Sequence, residues 1–453
     1  MKSGNASRTD KYLFFLALAL IVYMPLHVLI VQSASLLTGG LDVWKAAKDV
    51  LIVGLVPLLV FFSYRRGLFS NKSFRLLMIL GGLYALVHGL FVLFDQNDDT
   101  YSAIVGSVYN TRLFGYLLLG YLVGSAKNGS KYLKILVTTA VVVATVVAVF
   151  AILQYFLPKD ILTHVGYSLD RGVKPLFFID DKPDLPRVMS TLKDPNSLGA
   201  YLILPIIVTG YAICDKRAAR SLLSYEIKRA ALLAMLILQL SALWLTFSRG
   251  ALIGLIISSV TILYIVTGDR AVSLIKRYWY IFVVSLALMA GLLYQVQNTY
   301  LVQNIVFHAD ESTVLADPNE IRVSLTQDAV SEIIASPVGS GPGSAGLVAI
   351  SNPKGGVLTE NYYLQVAYEV GWIGIALFVA ILTVVIKQQL RLSRKLKNTL
   401  TNDVSIILLS TLAGYIFYSL LIHLWSNEAI TLQWWLLAGA ISGLGAHLQT
   451  KSK

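Results

Sequence analysis

The chain has 453 residues, of which 56% are hydrophobic and only 14% are charged. Soluble domains typically carry about a quarter charged residues, so this composition excludes an ordinary soluble protein. The single cysteine, Cys214, excludes a disulfide framework and a cysteine-based metal cluster. The formal net charge of +12 would suit a nucleic-acid-binding protein, but the basic residues lie in short segments between long apolar runs.

Long apolar runs recur along the chain, and most hold about the twenty residues that cross roughly 30 Å of hydrocarbon. They lie at residues 12–32, 50–64, 74–94, 108–125, 132–157, 197–214, 229–248, 250–267, 278–297, 362–386, 404–422 and 428–447. The first run is longer than the apolar part of a signal peptide and lacks a small-residue cleavage site, so we expect it to be retained. We predict an all-α integral membrane protein of about 12 transmembrane helices, in one polytopic domain over residues 1–453.

Charge alternates between successive loops. If the N-terminus is inside, the inner segments hold most of the 37 basic residues, as the positive-inside rule requires of cytoplasmic loops. Both termini are then cytoplasmic, and the basic net charge reflects membrane topology rather than a nucleic-acid partner. The second apolar run is short unless its helix begins near Val43, which would place Lys45, Lys48 and Asp49 in its outer turns.

Two outer segments are long, at residues 158–196 and 298–361. The second separates the ninth and tenth spans and carries apolar residues at steps of four, which form one face of a helix. These residues are Ile321, Leu325, Ala329 and Ile333. A run rich in glycine and proline, residues 336–343, follows and cannot continue that helix. We expect a short interfacial helix and a turn, packed on the outer membrane face.

Four arginines stand out among those on the outer side, where the positive-inside rule does not require basic residues. They are Arg112, Arg187, Arg249 and Arg322. Arg249 opens the eighth span, where a helix N-terminus offers N–H groups and a positive dipole end to an anion. Its planar fork of donors fits phosphate oxygens, although an interfacial arginine whose head group reaches water is the alternative. Arg187 precedes Asp194 and Pro195, which have the pattern of an N-cap and a first-turn proline for the sixth span.

The remaining two of these four arginines, Arg322 and Arg112, lie in different surroundings. Arg322 falls on the polar side of the predicted loop helix, where a solvated charge is the simpler explanation. Arg112 falls within the outer turns of the fourth span, where an unpaired charge costs a few kcal/mol. It must therefore find a partner in the protein or bind an anion.

Two acidic residues lie at the start of the tenth span. Glu360 precedes it directly and can be an ordinary neighbour of the helix cap, or a general base that accepts a proton from a substrate hydroxyl. Glu369 lies two turns further in and must be paired or protonated. The six histidines do not cluster at ligand spacing, and neither a Walker loop nor a Rossmann glycine motif is present. We therefore expect neither a metal nor a cofactor.

Four short motifs occur in the order and topology of one family. They are Arg187 ahead of Pro195-Asn196, Ser248-Arg249-Gly250, Arg322 ahead of the glycine-rich turn, and Glu360-Asn361 followed after nine residues by Gly371-Trp372-Ile373-Gly374. The chain thereby resembles the O-antigen ligase/polymerase superfamily, whose members typically have histidine where this chain has Glu360. The resemblance implies a GT-C-like membrane fold with its large extracytoplasmic loop, residues 298–361, between the ninth and tenth spans.

The resemblance also implies an activity. In this family a glycan carried on undecaprenyl diphosphate is transferred to an acceptor hydroxyl at the outer face of the bacterial cytoplasmic membrane, with inversion and without a metal or nucleotide. It places the diphosphate on Arg187 and Arg249, assisted by Arg322, with Glu360 as the catalytic base and Asn361 beside it at the substrate. Arg112 joins the predicted anion-binding set because its charge needs a partner. Glutamate can accept the acceptor's proton but cannot be cationic, which leaves the acceptor's identity open.

Three alternatives share parts of this pattern. A polysaccharide polymerase or a protein O-oligosaccharyltransferase would use the same donor with a lipid-linked repeat unit or a protein as acceptor, whereas a ligase acts on a glycan such as that of lipopolysaccharide. A twelve-span transporter of lipid-linked oligosaccharide is the rival outside the enzymes, but repeat symmetry and a long central inner loop are missing. Besides donor and acceptor, we expect membrane lipids and no nucleic acid as partners.

Overall fold

The computed structural model describes residues 3–94, 100–179, 185–268, 318–349 and 356–451. Its helices are α1 (Ser3–Tyr23), α2 (His27–Thr38), α3 (Leu41–Arg65), α4 (Lys72–Phe94), α5 (Thr100–Gly124), α6 (Gly129–Phe156), α7 (Pro195–Cys214), α8 (Lys216–Leu222), α9 (Arg229–Leu245), α10 (Arg249–Thr267), α11 (Pro318–Ala335), α12 (Gly346–Ala349), α13 (Tyr362–Lys395), α14 (Leu400–Tyr418) and α15 (Glu428–Lys451). Short 3₁₀ helices lie at Met24–Leu26, Leu68–Ser70, Thr163–Val165, Leu169–Arg171 and Leu424–Ser426. The strands β1 (Phe177–Phe178) and β2 (Pro186–Arg187) pair antiparallel.

The helices confirm a multi-pass, predominantly α-helical membrane protein. Within the described residues, nine helical segments are long and apolar enough to cross a membrane, with α1 and α2 forming one of them, Arg8–Thr38. Helices α5 and α9 coincide with two further predicted spans. The predicted ninth span, residues 278–297, lies outside the described residues, so the count of about twelve and the orientation stay predictions. We call the end of the bundle at which α7, α10 and α13 begin the outer end.

The helices α5 and α15 pack closely against each other. Their backbones approach through glycines spaced four apart, namely Gly120, Gly124, Gly439 and Gly443. A Cβ added at Gly124 would stand 1.8 Å from the Ala440 carbonyl oxygen, and one at Gly439 would stand 2.0 Å from that of Leu117. Helices in membranes commonly associate through such small residues. The pairing fixes the position of Arg112, which α5 carries.

The described part of the outer segment that precedes α13 packs against the bundle. Ala329 and Ile333 of α11 are 0% and 4% exposed, and Leu325 is half-buried on the same face. The predicted loop helix is therefore present with this part of its apolar stripe, whereas the side chain of Ile321 lies outside the described residues. After α11 the glycine-rich segment, which we define as residues 336–345, runs between α5 and α13. There the Gly343 N–H donates to the Glu369 carboxylate at 3.0 Å.

Candidate functional site

The N-terminus of α7 is built by three residues at the outer end. Asp194 caps the helix, because its carboxylate accepts hydrogen bonds from the Ser197 N–H at 2.8 Å and from the Ser197 hydroxyl at 2.6 Å. Pro195 occupies the first turn, where an N–H would have no helical partner. The capping role predicted for Asp194 and Pro195 is confirmed, and the positive end of the α7 dipole lies at the outer end.

Arg187 connects this helix start to the end of α9. Its Nε–H donates to the Thr246 carbonyl at 2.9 Å, and a terminal N–H donates to the Asn196 side-chain oxygen at 3.0 Å. The backbone N–H of Val188 donates to the Leu245 carbonyl at 3.1 Å. Side chain and backbone together therefore fix the Arg187 guanidinium between α7 and the turn that leads into α10.

The turn before α10 is tight. Phe247 has a left-handed backbone with φ of 49°, which is uncommon for a residue with a side chain. Ser248 is the N-cap of α10, and its hydroxyl accepts a hydrogen bond from the Ala251 N–H at 3.4 Å. Arg249 is the first helical residue, and its side chain is exposed. Three residues of chain, at most about 11 Å, separate Arg249 from Thr246, where Arg187 binds.

One hydroxyl group joins the two helix starts. Tyr418, the last residue of α14, is buried, and its hydroxyl lies 3.3 Å from the Asn196 carbonyl and 2.7 Å from the Ser248 hydroxyl. A carbonyl can only accept, so the tyrosine donates to Asn196 and accepts from Ser248. The N-termini of α7 and α10 therefore converge, bringing Arg187 and the backbone of Arg249 to one region. Sequence analysis missed Tyr418, because an aromatic residue at the end of a span carries no local signal of such a contact.

Glu360 lies at the same end, through the start of α13. The Tyr362 N–H donates to the carbonyl of Ser419 at 2.9 Å, and Ser419 directly follows Tyr418. Glu360 precedes Tyr362 by two residues, at most about 7 Å along the chain, and its side chain is half-buried. The structure thus places Glu360 on the segment next to the two joined helix starts.

Asn361 has a structural role at this position. Its side-chain oxygen accepts hydrogen bonds from the Tyr363 and Leu364 N–H groups at 2.9 and 3.2 Å, which makes it the N-cap of α13. Asparagine directly before a helix is a recognisable capping signal, and sequence analysis did not use it. Substrate binding by Asn361 stays a prediction, to which the structure adds this capping role.

Arg112 is fully buried in a cluster of charges between α3, α5 and α15. Its guanidinium donates to Asp49 Oδ1 at 2.9 Å and lies 3.6 Å from Glu428 Oε1, and it also donates to the Ser426 carbonyl. Lys48 lies 2.8 Å from Asp49 Oδ2 and 3.3 Å from Glu428 Oε1. Two cations thus meet two anions, so Arg112 has the protein partners that its depth required. We therefore leave it out of the diphosphate site proposed below.

The last of the four arginines, Arg322, is the fifth residue of α11. Its side chain lies outside the described part of the structure. The prediction that Arg322 assists in binding the diphosphate stays a prediction. The structure describes the backbone of α11 and shows that this helix packs against α13.

His423 adds a neutral ring near the site. Helix α14 ends at Tyr418, before the predicted end of the span at residue 422, so His423 lies in the loop that leads to α15. Its Nδ1 is 3.0 Å from Gln365 Oε1. Burial, with the positive charge of Lys193, lowers the pKa of His423 to about 3, so the ring is uncharged at neutral pH. Lys193 precedes α7 and adds a basic residue close to that helix start.

A comparison with known families bears on this site. Residues 234–379 match the family model for O-antigen ligase. The matched region contains Arg249, Glu360 and the motif 371–374, whereas Arg187 and Arg112 lie outside it. The match confirms the resemblance that the motifs indicated, and members of that family are membrane glycosyltransferase-like enzymes. No curated protein sequence matches the chain.

Proposed function

Because residues 234–379 match the O-antigen ligase family model, we propose that the chain transfers a glycan from undecaprenyl diphosphate to an acceptor hydroxyl at the outer face of the bacterial cytoplasmic membrane. The observation that carries the proposal is the hydrogen-bonded link from Ser248 through Tyr418 to Asn196. It brings two helix N-termini and two arginines to the end of the bundle at which Glu360 also lies.

The positive groups near the N-termini of α7 and α10 can stabilise the leaving group, which is the lipid diphosphate. Negative charge grows on the diphosphate as its bond to the sugar breaks, and fixed donors in a water-poor site stabilise such charge strongly. The N-termini of α7 and α10 contribute the positive ends of their dipoles, while the N–H groups of Ser197 and Ala251 are bound by the caps Asp194 and Ser248. Arg187 is held in place by Thr246 and Asn196, and Arg249 opens α10. Arginine forks match phosphate oxygens in pairs, so these groups are the proposed diphosphate site.

Glu360 is the proposed base. The acceptor oxygen attacks the anomeric carbon from the side opposite the diphosphate, and its proton passes to the Glu360 carboxylate. The bond between the anomeric carbon and the diphosphate oxygen breaks, and its electron pair stays on the diphosphate. The sugar is inverted, and the step requires no oxidant or reductant. A positioned carboxylate of this kind accelerates transfer by about 10²–10⁴-fold.

The test is transfer by the purified protein. The full chain in lipid nanodiscs is given lipid-linked glycan and an acceptor, without ATP and without an ion gradient. We expect a longer or newly anchored glycan and release of undecaprenyl diphosphate. A product formed only with a second lipid-linked repeat unit identifies a polymerase, and one formed with a separate glycan acceptor identifies a ligase. Movement of the donor across sealed vesicles without product would contradict the proposal and favour a transporter.

A further inference from the structure

A buried carboxylate in α13 holds the glycine-rich segment of residues 336–345. Glu369 is fully buried, and its two oxygens accept hydrogen bonds from the Gly343 N–H at 3.0 Å and from the Asn110 side-chain nitrogen at 2.6 Å. The Asn110 nitrogen also lies 3.2 Å from His88 Nε2. His88 Nδ1 lies 2.8 Å from the Tyr84 carbonyl and must donate there, so Nε2 accepts from Asn110. Elements α4, α5, α13 and the segment thus meet at Glu369.

The helical backbone of α13 is interrupted where the glycine-rich segment packs against it. Gly371 has φ of 64° and interrupts the helix, a conformation that suits glycine. Around the interruption, the Gly341 N–H donates to the Glu369 carbonyl at 2.9 Å, and the Ser340 N–H donates to that of Tyr368 at 2.8 Å. In return the Trp372 N–H donates to the Pro337 carbonyl at 3.1 Å. The segment therefore replaces partners that an unbroken helix would have supplied.

The segment and α5 approach so closely that neither Gly343 nor Gly106 could carry a side chain. A Cβ at Gly343 would stand 2.2 Å from the Ser102 carbonyl oxygen, and a Cβ at Gly106 would stand 2.2 Å from the Gly343 nitrogen. The segment is therefore pressed between α5 and α13. Its N-terminal side continues directly from α11, so whatever fixes the segment also limits where α11 can lie.

Glu369 is too deep to act on the acceptor itself. It follows Tyr362 by seven residues, about 10 Å along the helix axis, whereas Glu360 precedes the helix at its outer end. We propose that Glu369 is a positioning residue whose carboxylate anchors the glycine-rich segment, and through it α11 with Arg322, against the helix that begins beside Glu360. Its importance for transfer rests on the proposed function, whereas the anchoring does not.

The hydrogen bonds from Gly343 and Asn110 both require an acceptor atom on Glu369. A carboxylate offers acceptors to both Gly343 and Asn110, each of which donates. Glutamine has the same shape but carries one acceptor and one donor. In Glu369→Gln protein the new side-chain NH₂ group therefore faces one of these two donors and cannot accept its hydrogen bond. A buried donor left without an acceptor typically changes an equilibrium by roughly 10- to 100-fold, and we expect the segment to detach more often by that factor.

Thiol labelling measures the detachment. Cys214 is replaced by serine, and Ala329→Cys serves as the reporter because Ala329 is 0% exposed on α11. Val330→Cys, at a neighbouring residue that is 40% exposed, is the control for reagent access. With a membrane-impermeant maleimide, Glu369→Gln should raise the labelling rate at position 329 roughly 10- to 100-fold and leave position 330 unchanged. Transfer of glycan should fall in the same variant.

A matched variant separates anchoring from general loosening of α13. Gln389 is buried on the same helix and donates to the Ala438 carbonyl at 3.3 Å and the Ser442 hydroxyl at 3.2 Å, away from the segment. Gln389→Leu should leave labelling at position 329 unchanged. An equal increase in that variant, or full protection of position 329 in folded Glu369→Gln protein, would overturn the proposal.

Asn110→Ala covers the case in which Glu369→Gln does not fold. It removes the Asn110 donor and keeps the Gly343 contact, so we expect a smaller rise in labelling at position 329. Unchanged labelling in folded Asn110→Ala protein would overturn the anchor. If the parent protein transfers no glycan while labelling follows the expected pattern, the proposed function fails and the anchor stands.

Discussion

Tyr418→Phe tests whether the two helix starts must be held together for transfer. The substitution removes only the hydroxyl, which lies 2.7 Å from Ser248 Oγ and 3.3 Å from the Asn196 carbonyl. A typical hydrogen bond contributes ~1 kcal/mol net, and the longer of the two contributes less. We expect a loss of about 1–2 kcal/mol. If this alignment matters in the transition state, the same energy lowers transfer by about 5- to 30-fold.

Tyr415→Phe is the matched control. Tyr415 lies one turn earlier on α14, is equally buried, and donates to the Ala200 carbonyl at 3.3 Å, inside α7 rather than at its start. Its loss should lower the free energy of unfolding by up to ~1 kcal/mol and leave transfer within about twofold. The assay is the initial rate of glycan transfer at low donor concentration, with the thermal unfolding midpoint measured beside it. Wild-type transfer by Tyr418→Phe protein, or equal losses in both variants, would refute the reasoning.

The remaining predictions concern three other charged or titrating sites. Arg187→Ala and Arg249→Ala should each abolish measurable transfer without unfolding the protein, and Arg→Lys should restore only part of it because lysine lacks the paired donors of the fork; full activity of either lysine variant would contradict the phosphate role. Arg112→Met should lower stability by roughly 3–5 kcal/mol, because it leaves two buried carboxylates with one lysine, and a thermal midpoint equal to wild type would count against the buried cluster. His423 has a folded-state pKa of about 3, below its usual 6.5, so its contribution to stability is present above pH 6.5 and is lost as pH falls towards 3. His423→Gln should flatten that part of the pH dependence of unfolding, and an unchanged profile would show that the histidine is not held neutral.

The local parts of the fold could be predicted from the sequence. Apolar runs locate the helices because hydrocarbon tolerates little else, and the stripe of α11 follows from its step of four. Asp194 and Pro195 predict the start of α7, because an N-cap and a first-turn proline depend only on neighbouring residues. The start of α3 near Val43 was also anticipated, since a shorter helix could not cross the membrane.

The site itself required contacts that the sequence does not display. Ser248 and Tyr418 are 170 residues apart, and Asn110 and Glu369 are 259 residues apart. Sequence reasoning recognised that Arg112 needed a partner but could not name Asp49 or Glu428, because pairing depends on which helices are neighbours. Asn361 differs from these cases. Its capping signal was local, and the family motif drew attention to the substrate instead.

The central claim is that Glu360 accepts the acceptor's proton, and the rate of transfer by Glu360→Gln protein tests it most directly. Glutamine keeps the size of the side chain and removes its basicity, so turnover should fall by about 10²–10⁴-fold in protein that is folded and still binds lipid-linked donor. Glu332→Gln is the matched control, since Glu332 is exposed on α11 of the outer segment, and it should transfer at the wild-type rate. Glu360→His should retain part of the activity, because imidazole can take the same proton. Near-wild-type turnover by Glu360→Gln protein would contradict the account and leave the arginines and helix starts to act without a base.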